Sequence, residues 1–450
     1  MASAAEQLAA NFNFGSIAKA TELKQRLWFT LGALIVYRIG TYIPLPGIDP
    51  LVLSDIFEQQ RGGVLDMVNA FAGGAIGRMA IFALNIMPYI SASIIMQLLT
   101  AVFPTLEQLK KEGESGRKKI NQYTRYLTVV LAAVQGYGIA VGLEGLNTSA
   151  GSSAVIEPGW YFRATAVITL VGGTVFLMWL GEQITQRGVG NGISLIIFAG
   201  IVAEFPAALA ATFELGRSGQ LSTPILLGFL LLAMAVIVFI VFVERAQRRI
   251  LVQYPKRQMG NKMYGGDTSH LPLKLNTAGV IPPIFASSIL LMPLTVANFS
   301  GPGGADGGLL AEISSYLGRG QPMYLAMYIG MIVFFAFFYT AVVFNPQDTA
   351  DNLKRNGGFV PGIRPGKNTA DYLDYVLTRL TVVGAAYLAL VCLLPELLIS
   401  QFAVPFYLGG TTLLIVVTVT MDTVTQIQSH LIAHQYEGLI KKAKLRGKKR

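Results

Sequence analysis

Two histidines offer the first candidate chemistry in this 450-residue chain. His430 and His434 stand four residues apart on a segment that reads as helix, the spacing of a metal-binding pair. No third ligand accompanies them in the sequence and the segment is polar, so a solvated helix is the better reading. There is no HExxH, and "GIRPGK" (362–367) lacks the first glycine of a phosphate-binding loop at the required spacing. The single cysteine, Cys392, excludes an internal disulfide and a four-cysteine metal site. The sequence therefore points to no catalytic residues, no metal and no cofactor. Directional work, if the chain does any, must draw on a partner or a gradient.

The elements that would position any site are set by composition. Hydrophobic residues make up 53% of the chain and charged residues only 13%, about half the share of a soluble domain, and mean hydropathy is +0.53. This is the composition of a polytopic membrane protein. Apolar runs fall at about 25–43, 80–102, 123–143, 163–182, 192–212, 224–243, 276–297, 322–344, 376–396 and 405–426. Each is near the ~20 residues that a helix needs to span a bilayer. Period-2 alternation is absent, so the spans are helices rather than barrel strands. The first apolar run ends in "YIPLPGID", not in a small-residue cleavage site, so it is expected to stay in the mature protein.

Lysine and arginine orient the spans. Twenty-nine of the 35 basic residues fall in one set of loops and in the tail "KKAKLRGKKR". The expected arrangement is therefore ten spans with both termini cytoplasmic. Spans 1–5 then run outward first and spans 6–10 inward first, the parity of an inverted repeat of two five-helix halves. The expected organisation is a cytoplasmic segment 1–22, a first half 23–213, an external hinge connection 214–223, a second half 224–426 and a basic cytoplasmic tail 427–450. An inverted-repeat secondary transporter fits this parity too. Such carriers use titratable groups near the bilayer centre, and the sequence reads as having only apolar, small and hydroxyl residues there. Arg38 and Glu396 lie near outer ends, Glu182 and Asp422 near inner ends.

Two cytoplasmic loops, 244–275 and 345–375, are each about 30 residues long, far beyond the usual ~4–6. "RILVQY" alternates apolar and polar residues, as a hairpin strand does. "NGGFVPGIRPGKNT" is built on proline and glycine and displays Arg364 between Gly362 and Gly366. These loops are either ordinary positive-inside loops or a docking surface for a large acidic partner, bound through counterion release.

Longer stretches carry a resemblance. "PYISASIIMQLL" (88–99), "KKEGESGRKKINQYTRY" (110–126), "WLGEQITQRGVGNGIS" (179–194), "HLPLKLNTAGVIPPIFASS" (270–288), "NPQDTADNLKRNGGFVPGIRPG" (345–366) and "YLGGTTLLIVV" (407–417) together resemble the SecY family of protein-conducting channels. The resemblance implies an all-α polytopic protein of the bacterial cytoplasmic (inner) membrane, with ten transmembrane helices in two pseudo-symmetric halves hinged at the 5–6 connection, plus a short re-entrant plug helix. It implies a passive pore for unfolded secretory polypeptides that also opens sideways into lipid. Its constriction would be a ring of Ile86, Ile90, Ile193, Ile197, Ile284 and Ile415. Ile86/Ile90 and Ile193/Ile197 are spaced i, i+4, each pair on one helical face. The lateral gate would run between spans 2–3 and 7–8, with Ser91 and Met292 on it. Docking would fall to Arg248, Arg249, Lys256, Arg257 and Arg364. The implied partners are SecE, SecG, the SecA ATPase, the ribosome through its rRNA, signal peptides and secretory chains, with anionic lipids in addition. Two departures stand out: Asn85 where the family commonly has glycine, and a loop tip, "QMGNKMYGGD" (258–267), that is less basic than usual.

The stretch "LDMVNAFAGGAIGRMAIF" (65–82) reads as a half-length helix before Gly73-Gly74, too short to span. Since span 1 runs outward, this helix must dip in from outside and return, which requires a cavity or surrounding protein. The resemblance makes residues 62–78 the plug, with Phe71 as bulk, Gly73, Gly74 and Gly77 as cheap points of rearrangement and Arg78 at the polar exit. A rigid re-entrant packing element is the rival reading.

Overall fold

A computed structural model describes residues 20–50, 52–53, 69, 72–145, 153–218, 223–255, 257–259, 262–264, 268–299, 321–402 and 409–447. The first half contains α1 Thr21–Gly40, α2 Met87–Val102, α3 Pro104–Lys111, α4 Glu114–Gly145, α5 Trp160–Arg187 and α6 Gly192–Arg217. The second contains α7 Thr223–Arg245, strands β1 Gln247–Gln253, β2 Arg257–Met259, β3 Lys262–Tyr264 and β4 Thr268–Lys274, then α8 Ile281–Phe299, α9 Pro322–Val343, α10 Pro346–Arg355, α11 Lys367–Phe402 and α12 Gly410–Gly447. Each apolar run read from the sequence falls on one of these helices. Among the described residues seven helical stretches are long and apolar enough to cross a bilayer, and α2–α3, bent by 99°, makes an eighth if taken as one broken span.

Small residues set the helix contacts, as expected where lipid rather than water surrounds the bundle. On α4, Thr124, Thr128, Ala132, Gly136 and Ala140 are buried at every fourth position. They form a smooth stripe against α5, where a Cβ on Gly136 would stand 3.6 Å from Leu170. The opposite faces stay apolar and exposed: Trp28, Leu31, Ile35 and Ile39 on α1, and Leu227, Leu231, Met234, Val238 and Phe242 on α7.

The two halves touch on two opposite flanks. On one, α6 packs against α7 and α12, and α12 also reaches α1. On the other, α8 packs against both α2 and α4. A single apolar core lies between these flanks and takes in Ile86, Ile90, Ile197, Phe285, Leu290 and Ile415.

The second span begins later than the sequence suggests. Residues 80–86 are successive tight turns, and the helix starts only at Met87. Positive φ at Met79 (42°) and Asn85 (48°) breaks the α-ladder. Asparagine is among the few side chains that tolerate that region, so Asn85 can hold this turn. Two other helices run longer than their apolar cores: α6 continues to Arg217, into the expected hinge connection, and α12 continues through the basic tail to Gly447.

The long loops are structured. β1 and β4 form an antiparallel hairpin, with Ile250 opposite Leu271 and Gln247 opposite Lys274. Asn345 caps α10, its Oδ1 accepting from the amides of Gln347 (3.0 Å) and Asp348 (3.5 Å). The helix ends in a Schellman turn: Gly357 has φ 75° and the Gly358 amide donates to the Leu353 carbonyl at 2.8 Å. Phe359 then pairs with Gln253 through two backbone hydrogen bonds, 2.9 and 3.0 Å, joining the two loops. A small core of Ile250, Leu273, Val360, Leu373, Val376 and Leu377 mounts this platform on α11.

Candidate functional site: a narrow cavity between the halves

Five of the six ring candidates line one narrow cavity at the meeting of the halves. Its walls are Asn85, Ile86, Met87, Ile90, Ile197, Ile284, Ser287, Ser288 and Ile415. The turn at Asn85 aims Ile86 into it. Ile90 stacks one turn below, its amide donating to the Ile86 carbonyl at 3.0 Å. Ile197 comes from the first third of α6, Ile284 and the two serines from α8, and Ile415 from α12. Ile86 and Ile415 are almost wholly buried. Ile193 is not part of the lining. It sits one turn from Ile197, partly buried, where its Cγ1 would lie 3.2 Å from a Cβ on Gly181 of α5.

The serines do little to make the cavity polar. Ser287 Oγ donates to the Ile284 carbonyl of its own helix at 2.9 Å. Ser288 Oγ donates to Met87 Sδ at 3.9 Å, a contact that spans the α2–α8 flank. Sequence reading missed Met87 and both serines as lining residues; only their neighbours at Ile86 and Ile284 pointed there. Ser91 is buried on α2. Met292 belongs to α8, but its side chain lies outside what the structure describes.

On the other side of the turns 80–86, residues 72–80 are built into the wall. The Arg38 Nη1 donates to the Gly73 carbonyl at 2.6 Å, and the Tyr37 hydroxyl to the Ala72 carbonyl at 3.4 Å. The Leu45 amide donates to the Met79 carbonyl and the Ile81 amide to the Ile43 carbonyl, both at 2.9 Å. Gly73 has φ 63°, and a Cβ there would stand 2.9 Å from Gly200 Cα of α6. Its lack of a side chain thus serves close approach, not only ease of movement. Arg78 lies 3.9 Å from Glu204 Oε1 and stacks over the Tyr42 ring at 4.2 Å. Glu204 corrects the sequence reading of an uncharged interior: it lies well inside α6, paired with Arg78. Phe71 and residues 62–68, expected in the plug, lie outside the described residues.

The docking candidates lie on the platform made by the two long loops. Arg248 and Arg249 are exposed on β1. Arg364 is exposed on the proline–glycine tip, which is fixed by Thr369 Oγ1 donating to the Arg364 carbonyl at 2.9 Å. Lys256 lies outside the described residues; Arg257 begins β2, with its side chain outside the described set.

The SecY family model matches residues 80–424. The chain belongs to the SecY family. It is 59% identical over 426 residues to the protein translocase subunit SecY of Escherichia coli K12, covering 95% of this chain and 96% of that relative. It is 56% identical over 425 residues to the subunit of the same name from Rickettsia felis, covering 94% and 97%. Two solved structures share the SecY fold. "The structure of a protein conducting channel" aligns with a TM-score of 0.64 at 18% identity, over 91% of this chain and 92% of that one. "Sec61 in the Canine ribosome-channel complex from the endoplasmic reticulum" aligns with 0.62 at 19%, over the same shares.

Proposed function

We propose that the chain is the channel-forming subunit of a protein translocase, a multi-pass protein of the bacterial cytoplasmic membrane and not a catalyst. It passes unfolded polypeptides across the membrane and releases membrane segments sideways into lipid. The observation that carries the mechanism is the cavity between the halves, lined by isoleucines from both. A pore that must accept any sequence cannot offer specific binding groups. Branched aliphatic walls exclude water and ions by dewetting and still yield around an extended chain. The α8 contact with α2 includes the weak Ser288–Met87 bond at 3.9 Å, and we assign this flank as the one that parts toward lipid. We assign the stopper beneath the ring to the N-terminal part of the expected plug, residues 62–68, because residues 72–78 are tied into the wall. Family membership, together with the pairing of Glu204 by Arg78, disfavours the transporter reading.

Translocase subunits work with partner subunits. We assign these as SecE and SecG, with the SecA ATPase and the ribosome as alternating sources of drive. Both termini and the β1–β4 platform then face the cytoplasm, where Arg248, Arg249, Lys256, Arg257 and Arg364 meet motor or rRNA, and the basic ends meet anionic lipids. Arg364→Glu is expected to lower export several-fold at an unchanged level of inserted protein. Arg364 is exposed and its backbone, not its guanidinium, holds the tip, so the loss would be one of docking. Normal export in vesicles containing this variant would remove the docking role. The pore path is tested with a stalled secretory chain and cysteines at Ile86, Ile284 and Ile415. Crosslinks at all three are expected, and crosslinks at none would remove the ring.

A further inference from the structure

A hinge axis needs two fixed points, and the connection between α6 and α7 supplies only one. The turn before α6 has the properties of the second. Its amides are held one after another: Gly188 donates to the Ile184 carbonyl (2.8 Å), Val189 to Thr30 Oγ1 of α1 (3.1 Å), Gly190 to Gln426 Oε1 of α12 (2.9 Å) and Gly192 to Thr185 Oγ1 (2.9 Å). Of these bonds, the one to Gln426 crosses between the halves. Gly190 is buried with φ 89°, and a Cβ there would stand 2.8 Å from Leu195 Cδ1 and 3.2 Å from Thr423 Oγ1 of α12. The turn therefore lies close against α12, and the amide of buried Gly190 is satisfied from the more open side by the exposed Gln426, through a part-buried bond.

We infer that Gln426 is a positioning residue that fixes the second end of the hinge, so that the halves turn about the long axis of α6. This helix has 26 residues, a pin of about 39 Å at ~1.5 Å per residue. With both ends held, relative motion of the halves separates α8 from α2 and α4. With only the α6–α7 end held, the halves also twist, and α8 slides along α2. The inference rests on the channel reading above and adds to it a residue far from the ring, the gate and the plug.

The test uses the complete translocase in vesicles, with a reporter cysteine pair at Met87 and Ser288 across the mouth in every protein compared. Gln426→Ala is expected to slow crosslinking of the resting pair and to raise export of a preprotein with a defective signal sequence. Both changes should be roughly three- to tenfold, the shift that loss of one part-buried hydrogen bond of ordinary net strength gives a two-state equilibrium. Gln426→Glu keeps an acceptor oxygen and is expected to restore most of both readouts, which a loss of packing alone would not predict. Parental crosslinking and parental discrimination in Gln426→Ala would overturn the inference, as would a Glu variant as loose as the Ala variant. If the protein without the reporter cysteines exports no normal preprotein, the channel reading itself fails instead.

Discussion

Removal of residues 72–80 is expected to abolish accumulation of the protein, whereas removal of 62–68 is expected to leave it inserted, exporting and leaky to ions at rest. The contrast follows from where the polar and apolar contacts lie. The longer-range bonds from Arg38 to Gly73 and from Leu45 to Met79 would vanish with 72–80, as would the acceptor of Tyr37. Buried groups left without partners cost about 1–3 kcal/mol each. Ile76 and Met79, both buried, would leave a void costing about 2–5 kcal/mol per side chain. Together these match the whole stability of a typical fold, about 5–15 kcal/mol. Deleting 62–68 spares this wall, including Asn69, whose Oδ1 accepts from the Gly77 amide at 2.8 Å. Immunoblots of membrane fractions check the first outcome and resting conductance in planar bilayers the second. An unchanged conductance would return 62–68 to a packing role.

The way these segments divide shows what a sequence of this kind can carry. The spans were legible because hydrophobic run length is set by the bilayer itself, and the hairpin because "RILVQY" alternates. The turn chemistry of 72–86 was not, since alanine, isoleucine and glycine there fit a helix as well as they fit turns. Only the backbone at Met79 and Asn85 decides the matter. Gly73 was read as a point of freedom, and its tight approach to Gly200 depends on a residue 127 positions away, beyond the reach of local pattern. Glu204 was overlooked inside a strongly apolar run because its partner, Arg78, lies in a different segment. The ring itself came from resemblance rather than spacing. An i, i+4 pair marks one face of a helix but not what that face meets, and Ile193 and Ile197 diverge for that reason.

This divergence supports the second large effect, on wetting of the cavity. The double variant Ile86→Ser/Ile197→Ser is expected to raise resting ion conductance at least tenfold while export continues, and Ile193→Ser is expected to change it little. Each exchange removes three carbons and adds a hydroxyl. At ~0.8 kcal/mol per methylene, hydrating the cavity becomes easier by about 2.4 kcal/mol per site, or about 5 kcal/mol for the pair. A tenfold shift needs only ~1.4 kcal/mol, so even a threefold overestimate leaves the wet state more than ten times as populated. Collapse of neighbours into the vacated space would oppose this, but the walls come from α2, α6, α8 and α12, and each is tied elsewhere in the fold. Serine at 193 instead faces Gly181 on α5, where it can bond within its own helix without opening a water path. Equal leakage from Ile193→Ser and from the double variant would mean that the barrier to ions is longer than the five-isoleucine cavity, and that the ring extends a full turn along α6.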